Sequence, residues 1–287
     1  MKALTSLAHK FTLFFKAEEI IVKAQKYIPV LYKLMPLPSE YKPNQEMTVK
    51  RNGVNFTLQL TDYMQWHVFA DKPDISWQKA TEFITEGSSV MDVGANIGAF
   101  SLQLAKKLSD KKINTTIHAF EPNPYIYKRF QNNLQLNPPL QSFVSIHPLA
   151  LGSENGEASI VFTDNNSGGG QIHAKAENNS VPVQIKTLDS FVEENKIENI
   201  SFIKIDVEGF EPFVLKGAQA TILREKPKLY IEITDEWFRK HGSSAEEVIQ
   251  LLKSWGYQIY VEIKSGLVPL EKVTDIHTLY QYNILCV

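Results

Sequence analysis

"VMDVGANIGAF", residues 90–100, is the end of an apolar strand that runs into Gly94 and Gly98 and then into more apolar residues. In an open parallel sheet, ligands bind beyond the carboxyl ends of the strands, near the point where strand order reverses. Gly94 permits a tight turn there, and Gly98 lets the next helix approach the strand. Backbone N–H groups between them can face a ligand at the helix N-terminus. A bare strand–helix turn would need the same glycines, so the surrounding sequence has to decide what they make room for.

Working outward, strands and helices alternate from residue 88 onward. "SSVMDVG", "TTIHAFEP", "SFVSIHPLAL", "ISFIKIDVEG" and "KLYIEIT" read as buried strands. Between them, "AFSLQLAKKLSD", "YIYKRFQNNLQLN" and "PFVLKGAQATILREK" read as helices, and "SAEEVIQLLKSWG" as a helix after the fifth strand. Short apolar strands between amphipathic helices predict an α/β fold, a mostly parallel sheet covered on both faces. "YQIYVEI" and "LYQYNILCV" close the chain with no crossover helix between them, so one of the two is antiparallel. Residues 156–188 break the alternation and read as two strands around a long polar loop containing Gly168, Gly169 and Gly170.

Ahead of this domain, Asn52-Gly53 between alternating runs predicts a hairpin, because both central residues of a type I′ turn need positive φ. The expected organisation is a basic amphipathic helix with a proline-rich connection over 1–45, then one domain over 46–287 prefaced by the hairpin at 46–62. Within 1–35 there are lysines at 2, 10, 16, 23, 26 and 33 against Glu18 and Glu19. A basic amphipathic helix can lie on an anionic membrane surface; it can equally pack on its own domain. His9 and Lys10 interrupt the apolar run, and no small-residue cleavage site follows, so the segment does not read as a secretory signal. No stretch approaches the ~20 apolar residues of a membrane span.

The chain has 287 residues, is 43% hydrophobic and 22% charged, and carries a formal net charge of -2. That balance advertises no polyanionic partner, so nucleic-acid binding is not expected. A single cysteine, Cys286, excludes an internal disulfide and suits a reducing, cytoplasmic compartment. No His/Asp/Glu spacing specifies a metal, and none is expected. Nothing in the sequence sets the oligomeric state.

Dinucleotide binding is the first rival for the glycine turn. Its fingerprint is G-x-G-x-x-G, and here Asn96 holds the middle glycine position, where a side chain crowds a pyrophosphate. Asp92 adds a carboxylate, which suits a ligand with a cationic or zwitterionic end. Glu121, ending the second strand, can accept two ribose hydroxyls. Ala150 and Leu151, ending the third, can offer backbone and apolar contact to a flat base. An acid for an ammonium, an acid for a ribose and an apolar edge for a base together describe S-adenosylmethionine.

With those residues in view, the chain resembles the FkbM-type S-adenosylmethionine-dependent methyltransferases. The resemblance lies in "MDVGANIGAFSL", "HAFEPNPYIYKRFQNNLQLN", "HPLALG", "KTLDSF" and "FIKIDVEGFEPFVLKGAQATIL", in the family's order, over about 85–265. It implies a class I methyltransferase fold of seven strands, Rossmann-like, with a reversed C-terminal hairpin. It further implies that Asp92, Gly94, Asn96 and Gly98 cradle the methionine end of the cofactor, Glu121 holds the ribose, Asn123 lies near the adenosine, and Ala150 and Leu151 line the adenine. The implied chemistry is O-methylation, often of sugars.

The reactive end is read from "KIDVEGFEP", which puts Asp206 and Glu208 at the end of the fourth strand, on one side by the i, i+2 rule. Neighbouring carboxylates raise at least one pKa, which suits a general base. Taking the proton of an alcohol as it attacks is worth roughly 10²–10⁴ in rate. Glu232 can add a third carboxylate. A salt bridge to Lys204 or Lys228 is the bland role for these acids. His173, past the glycines of the loop, and Trp237, after the fifth strand, are candidates to contact the acceptor. His147 reads as a base or a strand-end residue, Asp189 as a helix N-cap, and Trp66, His67 and Trp77 as sugar-stacking or core residues. The expected protein is an O-methyltransferase acting on a small molecule or glycan. The alternatives are a nicotinamide-dependent oxidoreductase and a non-catalytic module docked through its N-terminal helix.

Overall fold

The computed structural model describes residues 2–72, 74–161, 171–173, 180–263, 266–273, 276 and 279–287. They fall into two compact units divided between residues 74 and 75.

In the first unit, α1 (Lys2–Phe15) and α2 (Glu18–Gln25) replace the single helix expected, because the chain turns at Lys16 with φ +49°. Two 3₁₀ turns, Pro29–Leu34 and Pro38–Glu40, each begin on a proline. The hairpin of β1 (Glu46–Arg51) and β2 (Val54–Gln59) turns at Asn52 and Gly53, both at positive φ as expected. By its contacts this hairpin groups with the N-terminal helices and with α3 (Tyr63–Phe69). Arg51 is buried there and donates to Phe69 O at 2.6 Å and to Glu19 Oε1 at 2.7 Å.

The second unit opens with α4 (Ser76–Ala80) and then winds β3 (Ser89–Val93), α5 (Ala99–Lys111), β4 (Thr116–Phe120), α6 (Pro124–Gln135) and β5 (Val144–His147) in one direction. Pro148 stops β5, since it cannot donate to a ladder. The expected third strand is thus cut in two: β6 (Ala150–Leu151) belongs to a separate sheet with β7 (Gly156–Val161), β8 (Gln171–His173) and β9 (Ser180–Lys186). Among the described residues that region holds three strands after residue 155, where two were expected.

After α7 (Leu188–Glu194) the chain returns to the main sheet. There follow β10 (Ile200–Ile205), α8 (Glu211–Gly217), α9 (Gln219–Glu225), β11 (Lys228–Ile233), α10 (Asp235–Lys240), α11 (Ala245–Ser254), β12 (Ile259–Ile263), β13 (Gly266–Pro269) and β14 (Tyr282–Cys286). The main sheet runs β13-β12-β14-β11-β10-β3-β4-β5. β5, β4, β3, β10 and β11 are parallel; β14 is antiparallel to both β11 and β12. The reversed strand is therefore the last, inserted between β11 and β12. Beyond the seven strands expected, β13 adds a short antiparallel edge.

β10 and β4 flank β3, so strand order reverses at the β3/β10 junction. Both strands are buried along nearly their whole length, and Met91, Ile203, Ile205, Leu229 and Ile231 form the centre of one apolar cluster. The polar turns after β3, β4, β10 and β11 all leave this sheet at the same edge.

Candidate active site

Two atoms explain why side chains are missing at 94 and 98, and neither belongs to a ligand. A Cβ on Gly94 would lie 1.8 Å from the carbonyl oxygen of Asp206. One on Gly98 would lie 2.2 Å from the Phe130 ring. Both glycines have positive φ, +82° and +86°. The turn after β3 is thus pressed against the turn after β10 on one side and α6 on the other.

Glu121 ties the neighbouring turns together. Its carboxylate accepts Asn96 N–H on Oε2 and Asn123 N–H on Oε1, each at 2.9 Å. Burial pushes its pKa up to about 7, against the opposing pull of those two N–H groups. Asn96 sits at φ +50° and accepts Ile97 N–H on its own Oδ1 at 2.7 Å. Asn123 caps α6, its Oδ1 accepting from Tyr125 N and Ile126 N. Asp92 is fully buried beneath the turn, with Oδ2 accepting the Ser101 hydroxyl at 2.6 Å and Lys204 Nζ 3.8 Å from Oδ1. Ala150 and Leu151 are buried in β6, paired with Ile185 and Lys186.

The turn after β10 gathers acids. β10 ends at Ile205, so Asp206 and Glu208 are brought together by a turn rather than by strand alternation. Glu208 takes φ +54° and Gly209 φ +99°. For a non-glycine residue that conformation costs of order 1–2 kcal/mol. Glu211, which the sequence reading passed over, holds the turn: its buried carboxylate accepts Val207 N–H at 2.8 Å and Gly209 N–H at 2.9 Å. Its place four residues after Val207, just before Pro212 in the first turn of α8, was the available signal. Asp206 accepts Lys204 Nζ at 3.0 Å, which makes the salt bridge foreseen as its bland role real.

Glu208 has no such ion pair among the described residues. Its Oε2 is buried without a hydrogen bond among the described residues. Burial, then the charges of Asp206 and Glu211, push its pKa up to about 8. Burial pushes Glu211 to about 7. Glu232, on β11, is raised too, first by burial and then by Asp206, Glu208 and Glu211; Gln281 donates to it. Trp237 stands beside this group, half-buried: a Cβ on Gly209 would lie 2.8 Å from Trp237 Cβ.

The remaining candidates disperse. His147 stacks on Phe120 and His118 and meets Phe191 edge-on, and burial lowers its pKa. Asp189 does not cap its own helix, whose N-cap is Thr187; its carboxylate accepts Ala220 and Thr221 N–H at the start of α9. In the first unit, Trp66 is buried and donates to Pro36 O, and His67 meets Lys72 Nζ. Trp77 is a core residue. The side chain of His173, like most of the 164–180 loop, lies outside the described residues. Among the described residues no cluster of three or more His, Cys, Asp or Glu could hold a metal ion.

A sheet with its switch point at β3/β10, a reversed last strand and acids at four successive strand ends defines a class I methyltransferase. The profile of the methyltransferase FkbM domain matches residues 92–259, and the chain belongs to that family. S-adenosylmethionine is its methyl donor. The donor set fits that nucleoside: each Glu121 oxygen retains a lone pair for a ribose hydroxyl after its backbone bond. Methyltransferase 1 of Beauveria bassiana is 30% identical over 62% of this chain and 75% of its own length. Hexuronic acid methyltransferase AglP of Haloferax volcanii is 28% identical over 46% of this chain and 50% of its own length, so the chain spans only half of that relative. A crystal structure of a methyltransferase FkbM from Methylobacillus flagellatus KT aligns over 78% of this chain and 52% of that one, at 16% identity and TM-score 0.47.

Proposed function

We propose that this methyltransferase acts on a hydroxyl group of a sugar, glycan or glycosylated metabolite, with Glu208 as the general base. The observation that carries the reading is the buried Oε2 of Glu208, without a hydrogen-bond partner among the described residues, in a strained turn at the switch point. A structural acid would be expected to find donors, as Glu211 and Glu121 do; a general base must keep its lone pair for the acceptor's proton.

The cofactor supplies an electrophilic methyl on a sulfonium. Gly94, Asn96 and Gly98 would hold its methionine end, with Asp92 buried beneath their turn, Glu121 its ribose, Asn123 the adenosine, and Ala150 and Leu151 the adenine. Glu208 would take the proton of the acceptor hydroxyl, the methyl passing from the sulfonium to that oxygen and leaving S-adenosylhomocysteine. Asp206, neutralised by Lys204, and Glu232 orient the acceptor, with Trp237 offering a face for a sugar ring. A relative is named for hexuronic acid. Here four acids surround the site, which favours neutral hydroxyls over an anionic sugar. A cytoplasmic setting suits the single buried thiol.

The test is mass spectrometry of neutral and uronic-acid glycans after incubation with isotopically labelled methyl donor. Label should enter the neutral glycans first. kcat/KM should rise tenfold per pH unit and level off above about pH 8. Glu208→Gln should lower kcat by roughly 10²–10⁴ and abolish that limb while leaving S-adenosylhomocysteine affinity unchanged. A Glu208→Gln enzyme with full turnover would refute the assignment.

A further inference from the structure

We propose that the N-terminal unit binds an anionic lipid surface through Leu7, Phe11 and Phe14 on α1 and the lysines around them. α1 packs the wrong way round for a helix in water. His9 and Thr12, its polar residues on one face, are buried. His9 Nδ1 lies 2.6 Å from Glu40 Oε2 and Nε2 2.9 Å from Lys33 O. The Thr12 hydroxyl bonds Ala8 O at 3.0 Å and Leu34 O at 3.1 Å. The opposite face, at i, i+4 and i+7, presents Leu7 at 66%, Phe11 at 63% and Phe14 at 80% exposure. Ile20, Tyr27, Ile28 and Val30 are exposed on the same unit. A surface helix ordinarily does the reverse, and a grouped apolar exposure of this kind marks an interaction surface.

Charge selects the occupant. Lys10, Lys16, Lys23, Lys26 and Lys33 are exposed. The acids nearby are used internally: Glu18 is buried, Glu19 pairs with Arg51, and Glu40 meets His9. Of the five lysines only Lys26 has a carboxylate within salt-bridge distance among the described residues, Asp71 at 3.5 Å. Aromatic and aliphatic side chains ringed by lysines match an interface of acyl chains under anionic headgroups. A second copy of the chain would bring five lysines against five lysines. No described helix is long and apolar enough to cross a membrane, so α1 would lie along the surface.

The experiment floats the full-length protein with vesicles of phosphatidylcholine alone and of phosphatidylcholine mixed with phosphatidylglycerol. The protein should partition onto the mixed vesicles and come off as salt is raised. The double variant Phe11→Ser/Phe14→Ser should lower partitioning about a hundredfold. Lys10→Glu/Lys16→Glu should weaken binding to mixed vesicles only. Both variants alter exposed positions, and unchanged circular dichroism and S-adenosylhomocysteine affinity would confirm that they fold. Wild-type protein that stays in solution with both vesicle types overturns the proposal. So does equal binding by the phenylalanine variant, or a dimer in sedimentation that this variant dissociates.

Discussion

Gly94 and Gly98 are kept bare by different kinds of atom, and the difference can be measured. At Gly98 the obstacle is the Phe130 ring, a side chain that a substitution can shrink. At Gly94 it is the backbone carbonyl of Asp206, which cannot retreat without parting the ends of β3 and β10. Gly98→Ala should cost about 2–4 kcal/mol in urea denaturation, combining left-handed strain with overpacking. Combined with Phe130→Leu the losses should fall short of additive by about 1 kcal/mol or more, because the ring is no longer there to clash. Gly94→Ala should show no such coupling with Phe130→Leu. The glycine spacing was legible in the sequence. The atoms that demand it were not, since Phe130 and Asp206 reach the turn only once the sheet is assembled. For the same reason Glu121 was legible as a strand-end acid but its bonds to Asn96 and Asn123 were not.

Among the elements, α9 depends on a residue outside itself. Asp189, in the first turn of α7, accepts the N–H groups of Ala220 at 3.0 Å and Thr221 at 2.7 Å. These are among the orphan donors that open any helix. Asp189→Ala should therefore lower stability by about 1–2 kcal/mol, and Asp189→Asn, which keeps one acceptor oxygen, by less; chemical denaturation would rank them. Neither should change S-adenosylhomocysteine affinity. An acid early in a helix reads from sequence as a cap for that helix. Here Thr187 already fills that role, and the carboxylate serves a helix brought alongside by packing. Strand periods were legible wherever a strand is buried on both faces, as in β3, β4, β10 and β11. They failed at residues 142–151, where one apolar run crosses Pro148 into a second sheet, and at Ile205, where the strand stops one residue before its acids.

Over the molecule, the same acids that build the site should make stability fall as pH rises. The strand arrangement around β3 was foreseeable from the family resemblance rather than from residue patterning. The electrostatic consequence depends on burial, which only the fold reveals. Glu121, Glu208 and Glu211 are raised to about 7, 8 and 7, in each case chiefly by burial. In the unfolded chain they ionise near the ordinary glutamate value of about 4.3. Between those limits the folded protein binds more protons than the unfolded one, so ΔG of unfolding declines with pH. The contribution is fully present below the unfolded value and is lost as pH passes the folded values. Each such group contributes about 1.4 kcal/mol per pH unit inside its window. Thermal denaturation should thus show a melting temperature that drops above about pH 6.5, below which the lowered pKa values of His67, His118 and His147 oppose the acids, and that flattens beyond about pH 9, where Glu232 has ionised too. Glu208→Gln cannot ionise, so its curve should lose the portion nearest pH 8 and end above wild type there. A wild-type melting temperature constant across this range, with the variant unchanged, would mean that these carboxylates are solvated in the folded state. The base assignment for Glu208 would then lose its footing as well.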